Sequence, residues 1–154
     1  MVAQEQQKPF VIGLDLGGTN SVFGIVDQRG NILTTNSIKT QAYKTAEDFV
    51  SAGVEALKPI IPKVGGIEQI KAMGIGAPNG NYYRGTIEFA PNVPWGHDGV
   101  IPLADMFSEK LGIPVGLTND ANAAAIDDNT RSDTRAERDH DEVLHAACYA
   151  ILHL

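Results

Sequence analysis

An acidic residue followed by two glycines is the first group in the sequence whose types and spacing could do chemistry. The segment reads DLGGTN (residues 15–20) and lies between two short apolar runs typical of strands. Glycine lets the backbone approach a ligand closely and aim its N–H groups at an anion. A carboxylate such as Asp15 can hold a magnesium ion or its water ligands. The segment therefore predicts a phosphate site, and a Gly-Gly hairpin turn without a ligand is the alternative.

A carboxylate and an amide at the end of another predicted strand form the second group. The segment TNDANAAA (residues 118–125) follows a short strand predicted at Pro114–Leu117. Ligands of α/β proteins bind at the carboxyl ends of the strands. Asp120 could accept a proton from an attacking hydroxyl, and Asn119 could hold a sugar hydroxyl by hydrogen bonding. The alternative is that Asp120 only caps the helix predicted at Ala121–Ile126.

A long polar loop with one rigid aromatic residue is the third group. It extends from GIGAPN (residues 74–79) to PNVPW (residues 91–95). Sugar sites use such loops, but any exposed connection has a similar composition. Trp95 is either a packing residue or a platform for a sugar ring. His97, in the same loop, is expected to be a solvated histidine rather than a catalytic one.

Strand and helix patterns alternate around these groups. Phe10–Leu16, Ser21–Val26 and Ile32–Ile38 are spaced too closely for helical crossovers, so we expect an antiparallel meander. Thr45 is a predicted N-cap, and Leu103–Leu111 carries a helical apolar stripe that ends at Gly112. A buried strand is predicted at Ile70–Ala77, followed by a loop through Gly99. The expected fold is α/β, with a mixed sheet in which the Ile70 and Pro114 strands run parallel to the first.

The four motifs DLGGTN, GIGAPN, NVPW and PVGLTNDANAAA occur in an order and spacing that resemble the ROK family of sugar kinases and repressors. The resemblance covers residues 10–126. It implies a ribonuclease-H-like lobe of the actin/hexokinase type. The third glycine of the family's Gly-x-Gly-x-Pro-Gly motif is replaced here by Asn79, so the shape of that turn is left open.

The resemblance also implies a function and a set of site residues. The chain would be the N-terminal lobe of an ATP-dependent, glucokinase-type kinase that phosphorylates the 6-hydroxyl of glucose or a related hexose. Asp120 would be the general base. The implied sugar site comprises Gly76, Asn92, Asn119 and Asp120, and the implied site for the ATP phosphates and Mg²⁺ comprises Asp15, Gly17, Gly18, Thr19 and Asn20. The family's zinc cluster is not expected, because Cys148 is the only cysteine.

Composition limits the other classes of function. The net charge of −7 disfavours binding to nucleic acid. The first residues show no apolar signal-peptide core, and the longest apolar stretch, Val143–Leu154, is about half the length of a membrane span. We therefore expect a cytoplasmic protein without a membrane partner.

The composition changes after Ile126, so the sequence predicts a polar tail at residues 1–9, a lobe at 10–126 and a divergent tail at 127–154. A frameshift, a truncation and natural divergence are the open explanations. Without a second lobe, the chain alone is expected to be inactive. It is also expected to self-associate as a homodimer, with Val143–Leu154 as a cover for exposed apolar surface. A sugar-sensing domain of a ROK repressor is the alternative, but the nine residues before Phe10 leave no room for a helix-turn-helix.

Overall fold

The computed structural model describes residues 8–97 and 99–119. Asp120, the helix predicted at Ala121–Ile126 and the tail at 127–154 lie outside the described residues, as do residues 1–7. The domain boundaries therefore stay predictions.

The described residues form a central five-stranded sheet and a small three-stranded sheet. The strands are β1 (Phe10–Leu16), β2 (Asn20–Val26), β3 (Ile32–Lys39), β4 (Ile70–Ala77), β5 (Gly80–Asn81), β6 (Thr86–Glu88), β7 (Val100–Ile101) and β8 (Val115–Asn119). The central sheet has the order β3-β2-β1-β4-β8. Its first three strands are antiparallel neighbours, and β4 and β8 run parallel to β1. The predicted mixed sheet is confirmed.

Two of the three predicted helices are also confirmed, with Thr45 at the start of the first and Gly112 at the end of the second. Helix α1 spans Ala46–Leu57, and the Thr45 hydroxyl accepts a hydrogen bond from the Asp48 N–H at 3.0 Å, which satisfies one exposed donor of the first turn. Helix α2 spans Leu103–Leu111 and ends at Gly112, whose φ of 73° is left-handed. Neither of these helices, the only α-helices in the described part of the chain, is long and apolar enough to cross a membrane.

Both helices pack on one face of the central sheet. Alternate residues of β1, including Leu14, point to this face and join the main core with Phe49 of α1 and Phe107 of α2. The helices approach each other closely because Gly53 of α1 has no side chain. A Cβ at Gly53 would lie 2.8 Å from the Phe23 ring and 3.0 Å from the Phe107 ring.

The opposite face of the sheet is lined by glycine. Gly13 of β1 is in register with Gly24 of β2 and with Gly74 of β4, and Gly74 is in register with Gly116 of β8. Residues in register share a face, so four adjacent strands present a continuous row without side chains. Val11 and Asp15 of β1 lie on this same face, on either side of the row.

The turn between β2 and β3 is fixed by Asp27. Its carboxylate accepts hydrogen bonds from the N–H groups of Arg29 and Asn31, each at 2.9 Å. The bond from the Asn31 N–H is the main reason that the pKa of Asp27 lies below its usual value. The turn sets the register of the hairpin and so decides which residues lie opposite each other at its far end.

The segment predicted as a loop through Gly99 contains the small sheet, with order β5-β6-β7. The prediction of a loop was therefore wrong for this segment, and local interactions of Asn79 explain why strands form there. Asn79 has a φ of 55°, a backbone conformation that asparagine tolerates better than most residues, so it can stand where the family has glycine. Its amide nitrogen donates to the carbonyl oxygens of Glu88 and Phe89 at 3.0 and 2.9 Å, which joins the two ends of the β5–β6 hairpin.

Replacing Gly53 with alanine should destabilise the protein, although alanine is the better helix former by about 1 kcal/mol. The new methyl group would overlap the rings of Phe23 and Phe107, and overpacking of this kind costs about 1–3 kcal/mol. Urea unfolding of the 154-residue chain measures the difference. Gly99→Ala is the matched control, because no atom lies within 4 Å of a Cβ at that position. A Gly53→Ala variant at least as stable as the wild type would show that the helix packing is looser than described.

Candidate functional site

The predicted site residues converge at the carboxyl ends of the parallel strands. Asp15 of β1 is in register with Gly76 of β4, and Gly76 is in register with Thr118 of β8. One position further along, Ala77 is in register with Asn119, the last residue of β8. Adjacent strands are about 4.8 Å apart, so the backbones at Asp15 and Thr118 lie about 10 Å from each other.

Asp15 is a buried carboxylate at this edge. Its side chain is 7% exposed and lies on the sheet face that carries the glycine row, not on the face covered by α1 and α2. Gly76, its neighbour in register, places no side chain beside it. A carboxylate in such a position costs free energy unless it is held by hydrogen bonds or by a cation.

Residues Gly17–Asn20, called the glycine turn below, connect β1 to β2. The Gly17 N–H donates to the Asn20 carbonyl oxygen at 3.0 Å, which closes the hairpin. A Cβ at Gly17 would lie 2.8 Å from that same oxygen, so only glycine fits there without a backbone shift. The Gly-Gly segment is therefore a hairpin turn, which both interpretations of the sequence require, and the choice between a phosphate site and a turn without a ligand stays a prediction.

Three successive carbonyl groups of the glycine turn are bound from the same neighbouring segment. The Thr40 hydroxyl donates to the Gly17 oxygen at 2.7 Å, and the Thr40 N–H donates to the Thr19 oxygen at 2.9 Å. The Gln41 side chain donates to the Gly18 oxygen at 2.9 Å. A trans peptide sets its N–H opposite its C=O, so the N–H groups of Gly18, Thr19 and Asn20 point away from this segment.

Asn92 lies against the glycine turn. A Cβ at Gly18 would be 3.2 Å from the Asn92 Cβ, so the predicted sugar loop and the predicted phosphate loop are in contact. Trp95, in the same loop, is 7% exposed and stacks on Phe49 with ring centroids 4.5 Å apart. Its indole N–H donates to the Thr40 carbonyl oxygen at 3.2 Å. The interpretation of Trp95 as a packing residue is the one that the geometry supports.

A glycine also lies close to the end of β8. Gly80 of β5 packs against this strand, since a Cβ there would lie 2.8 Å from the Thr118 carbonyl oxygen. The small sheet is thereby held within contact distance of the residues that precede Asp120. Asp120 itself lies outside the described residues, and its assignment as the general base stays a prediction. His97 is exposed in the loop.

Three residues at the site, Ser21, Thr40 and Gln41, belong to none of the motifs in the sequence. Ser21 and Thr40 are completely buried, with their hydroxyl oxygens 2.7 Å apart. The pairing of the β2–β3 hairpin could have indicated their position. In the β2–β3 pairing Asn20 lies opposite Lys39, so the residues that follow β3 had to lie beside the glycine turn. Among the described residues no three His, Cys, Asp or Glu side chains are grouped to hold a metal ion.

Comparison with known proteins agrees with this geometry. A protein-family model described as "ROK family" matches residues 11–146, which continues 20 residues past Ile126. A glucokinase of Streptomyces coelicolor is 42% identical over 115 residues, which are 74% of this chain and 33% of the relative. The chain thus spans about a third of the length of the curated Streptomyces glucokinases that it matches.

A solved structure shows the same likeness. The ROK family glucokinase of Streptomyces griseus, determined in complex with glucose and AMPPNP, superposes with a TM-score of 0.62 at 40% identity. The superposition covers 75% of this chain and 35% of that one. This lobe therefore has the actin/hexokinase-like fold of the ROK kinases. A Caldicellulosiruptor protein provisionally described as a xylose repressor is 32% identical over 124 residues, which are 75% of this chain and 29% of the relative.

The contact between Gly18 and Asn92 predicts a coupled pair of substitutions. Gly18→Ala should lower the free energy of unfolding by about 1 kcal/mol, because the new methyl group would press on the Asn92 Cβ. In an Asn92→Gly background that atom is missing, so the cost of Gly18→Ala should shrink by at least about 0.5 kcal/mol. Urea unfolding of the two single variants and the double variant measures the coupling. Equal costs in both backgrounds would mean that the two loops do not press on each other.

Proposed function

Because the chain belongs to the ROK family, we propose that it is the phosphate- and sugar-binding lobe of a kinase that transfers the γ-phosphoryl group of ATP to the 6-hydroxyl of glucose or a related hexose. The observation that carries this proposal is the convergence of a buried carboxylate, a glycine turn with its N–H groups on one side, and a strand-end amide at one edge of the sheet. These are the residues Asp15, Gly17–Asn20 and Asn119.

The glycine turn fits a phosphate group. The N–H groups of Gly18, Thr19 and Asn20 lie opposite the carbonyl groups that Thr40 and Gln41 hold, and successive N–H groups on one side of a turn form a concavity that binds anions. The missing side chains of Gly17 and Gly18 let the Asn20 carbonyl oxygen and Asn92 come close to the backbone, which gives the turn its tight shape. ATP, when bound, supplies the phosphoryl group that is transferred; the turn's part is to hold the phosphate oxygens.

Asp15 fits a magnesium ion that accompanies the phosphates. Mg²⁺ is commonly held by one or two carboxylates together with phosphate oxygens and water, so a cluster of protein ligands is not required. Asp15 provides a buried carboxylate next to the glycine turn. The ion, when bound, would neutralise negative charge that builds up between the phosphates.

The sugar would bind at the other end of the same edge. Asn119 ends β8 in register with Ala77, and Asn92 reaches the edge from the small-sheet side through its contact with Gly18. Asp120 follows Asn119 directly, about 3.8 Å further along the chain. We assign to Asp120 the removal of the proton from the sugar hydroxyl, while Asn92, Asn119 and Gly76 shape and hold the sugar site.

This division of labour suits phosphoryl transfer. Catalysis of this reaction consists almost entirely of positioning and charge stabilisation. An edge at which three strands end in register offers fixed positions for the phosphates, the ion and the sugar. The ends of the strands, and not the helices, would therefore determine the relative placement of the reacting groups.

The similarity to a protein described as a repressor supports a second candidate, a sugar-sensing domain. The two candidates differ in one binding property. A kinase lobe binds phosphate at the glycine turn, whereas a sensor needs only the sugar. Amide chemical shifts of the 154-residue chain, titrated with glucose and separately with magnesium tripolyphosphate, distinguish them. Shifts at Gly18 and Thr19 with the phosphate support the kinase, and shifts with glucose alone support the sensor.

Asp120→Asn should lower kcat by about 10²–10⁴-fold, the usual contribution of a positioned general base, with little change in the KM for glucose. The measurement uses residues 10–126 of this chain joined to the remaining part of the Streptomyces coelicolor glucokinase, in a coupled assay with ATP and magnesium. Glu109→Gln is the matched control, because Glu109 is exposed in the last turn of α2, at the end of the helix that leads to the start of β8. An Asp120→Asn variant that kept most of its kcat would reduce Asp120 to a helix cap.

A further inference from the structure

We propose that Thr40, assisted by Gln41, is the positioning residue that gives the glycine turn its anion-binding shape. The inference rests on the proposed phosphate role of the turn and goes beyond it, since neither residue belongs to any motif that identified the site. Thr40 has no exposed surface, whereas Gln41 is exposed.

The direction of the hydrogen bonds at Thr40 follows from the donors that are present. A hydroxyl group carries one proton. The Gly17 carbonyl can only accept, so the Thr40 hydroxyl proton is used in that bond at 2.7 Å. The Ser21 hydroxyl, also at 2.7 Å, must therefore donate to Thr40. The result is a buried, directed chain from Ser21 through Thr40 to the backbone of the glycine turn.

The bonds from this segment determine the orientation of three peptide planes. The carbonyl groups of Gly17, Gly18 and Thr19 are each held by a donor of Thr40 or Gln41. Glycine has little conformational preference of its own, so these peptides could otherwise rotate. Because each plane is rigid, fixing its carbonyl also fixes the direction of the following N–H. The segment behind the turn thus sets the direction of the groups that face the ligand.

Thr40 also connects the glycine turn to the sugar side. Its carbonyl oxygen accepts the indole N–H of Trp95 at 3.2 Å, and Trp95 is anchored by its stacking on Phe49. The loop that carries Trp95 also carries Asn92, which contacts Gly18. One buried residue is therefore bonded both to the turn that would hold phosphate and to the loop that would hold sugar. We infer that the relative position of the two loops depends on Thr40.

Three substitutions separate positioning from simple structural support. Thr40→Val keeps the shape but removes the hydroxyl group, Thr40→Ser keeps the hydroxyl group, and Gln41→Ala removes only an exposed side chain. Gln28→Ala is the matched control for the last, since Gln28 is an exposed glutamine in the turn at the other end of β2. All are made in the 154-residue chain and studied under conditions in which each variant is fully folded.

The first measurement is amide hydrogen exchange without ligand. The Gly17 N–H donates to the Asn20 oxygen across the turn, and its protection reports on the turn's shape. We expect its exchange to be faster in Thr40→Val and unchanged in Thr40→Ser. Equal protection in the wild type and in Thr40→Val would overturn the inference, whatever the turn binds.

The second measurement is the affinity for magnesium tripolyphosphate, followed by the amide shifts of Gly18 and Thr19. Thr40→Val should weaken binding by about tenfold, Gln41→Ala by about two- to fivefold, and Thr40→Ser and Gln28→Ala hardly at all. A variant that is less stable but binds with wild-type affinity would show that Thr40 only supports the fold, and would overturn the inference. If the wild type itself does not bind, both the proposed function and this inference fail, whereas a loss confined to the variants leaves the proposed function intact.

If Thr40→Val does not fold, Gln41→Ala decides the outcome. Gln41 is exposed, and its removal leaves the core unchanged. The fluorescence of Trp95, the only tryptophan in the chain, independently reports a change in the environment of Thr40, because the Trp95 indole N–H donates to the Thr40 carbonyl oxygen. If Gln41→Ala binds magnesium tripolyphosphate as tightly as Gln28→Ala does, Gln41 has no part in positioning the turn. Where Thr40→Val also fails to fold, that result overturns the proposal.

Discussion

The parallel pairing of β1 with β4, and of β4 with β8, is the constraint on which the rest of the lobe depends. Parallel strands need crossover connections, and here α1 leads from β3 to β4 and α2 from β4 to β8. Both crossovers move in the same direction across the sheet, so right-handed connections put both helices on the same face. The pairing also brings the ends of three strands to one edge, although Asp15 and Asn119 are 104 residues apart in the sequence. The site is a consequence of the sheet's order.

Glycine permits the close approaches that this arrangement requires, and it does so differently in different places. At Gly53 the missing side chain lets two helices and an aromatic cluster close on each other. At Gly17 it lets the chain reverse direction without striking the Asn20 oxygen, and at Gly80 it brings the small sheet against β8. At these three positions glycine serves close packing rather than backbone flexibility.

The sequence predicted the elements whose signals are local. The strands at Phe10–Leu16 and Ile70–Ala77 are apolar runs bounded by turn residues, and both were predicted with their observed bounds. The N-cap at Thr45 and the C-cap at Gly112 follow from side-chain and backbone chemistry within one turn of the helix. The small sheet was missed because its strands are two or three residues long and its stability comes from a hydrogen-bonded Asn79 and from contact with β8.

The candidate site was predictable to the extent that its residues lie in recognisable motifs. Asp15, Gly18 and Asn92 were found in this way, and the register and contacts bring them to one edge. Thr40 could not be found from a motif, because its role is carried by two backbone groups and one hydroxyl that meet the turn only after β3 has paired with β2. Residues that act on the backbone of another segment leave little trace in the local pattern.

A hairpin turn lacks two features that help the N-terminus of a helix to bind phosphate. At the N-terminus of a helix, the helical backbone itself aligns several N–H groups, and the helix dipole adds attraction for an anion. The glycine turn is followed by a strand, so neither contribution is available there. The orientation of its N–H groups must therefore be set by contacts with another segment. In this lobe, Thr40 and Gln41 donate hydrogen bonds to the carbonyl groups of the same peptides. In the proposed function, a cation held by the buried carboxylate two residues before Gly17 would supply the attraction that a helix dipole adds elsewhere.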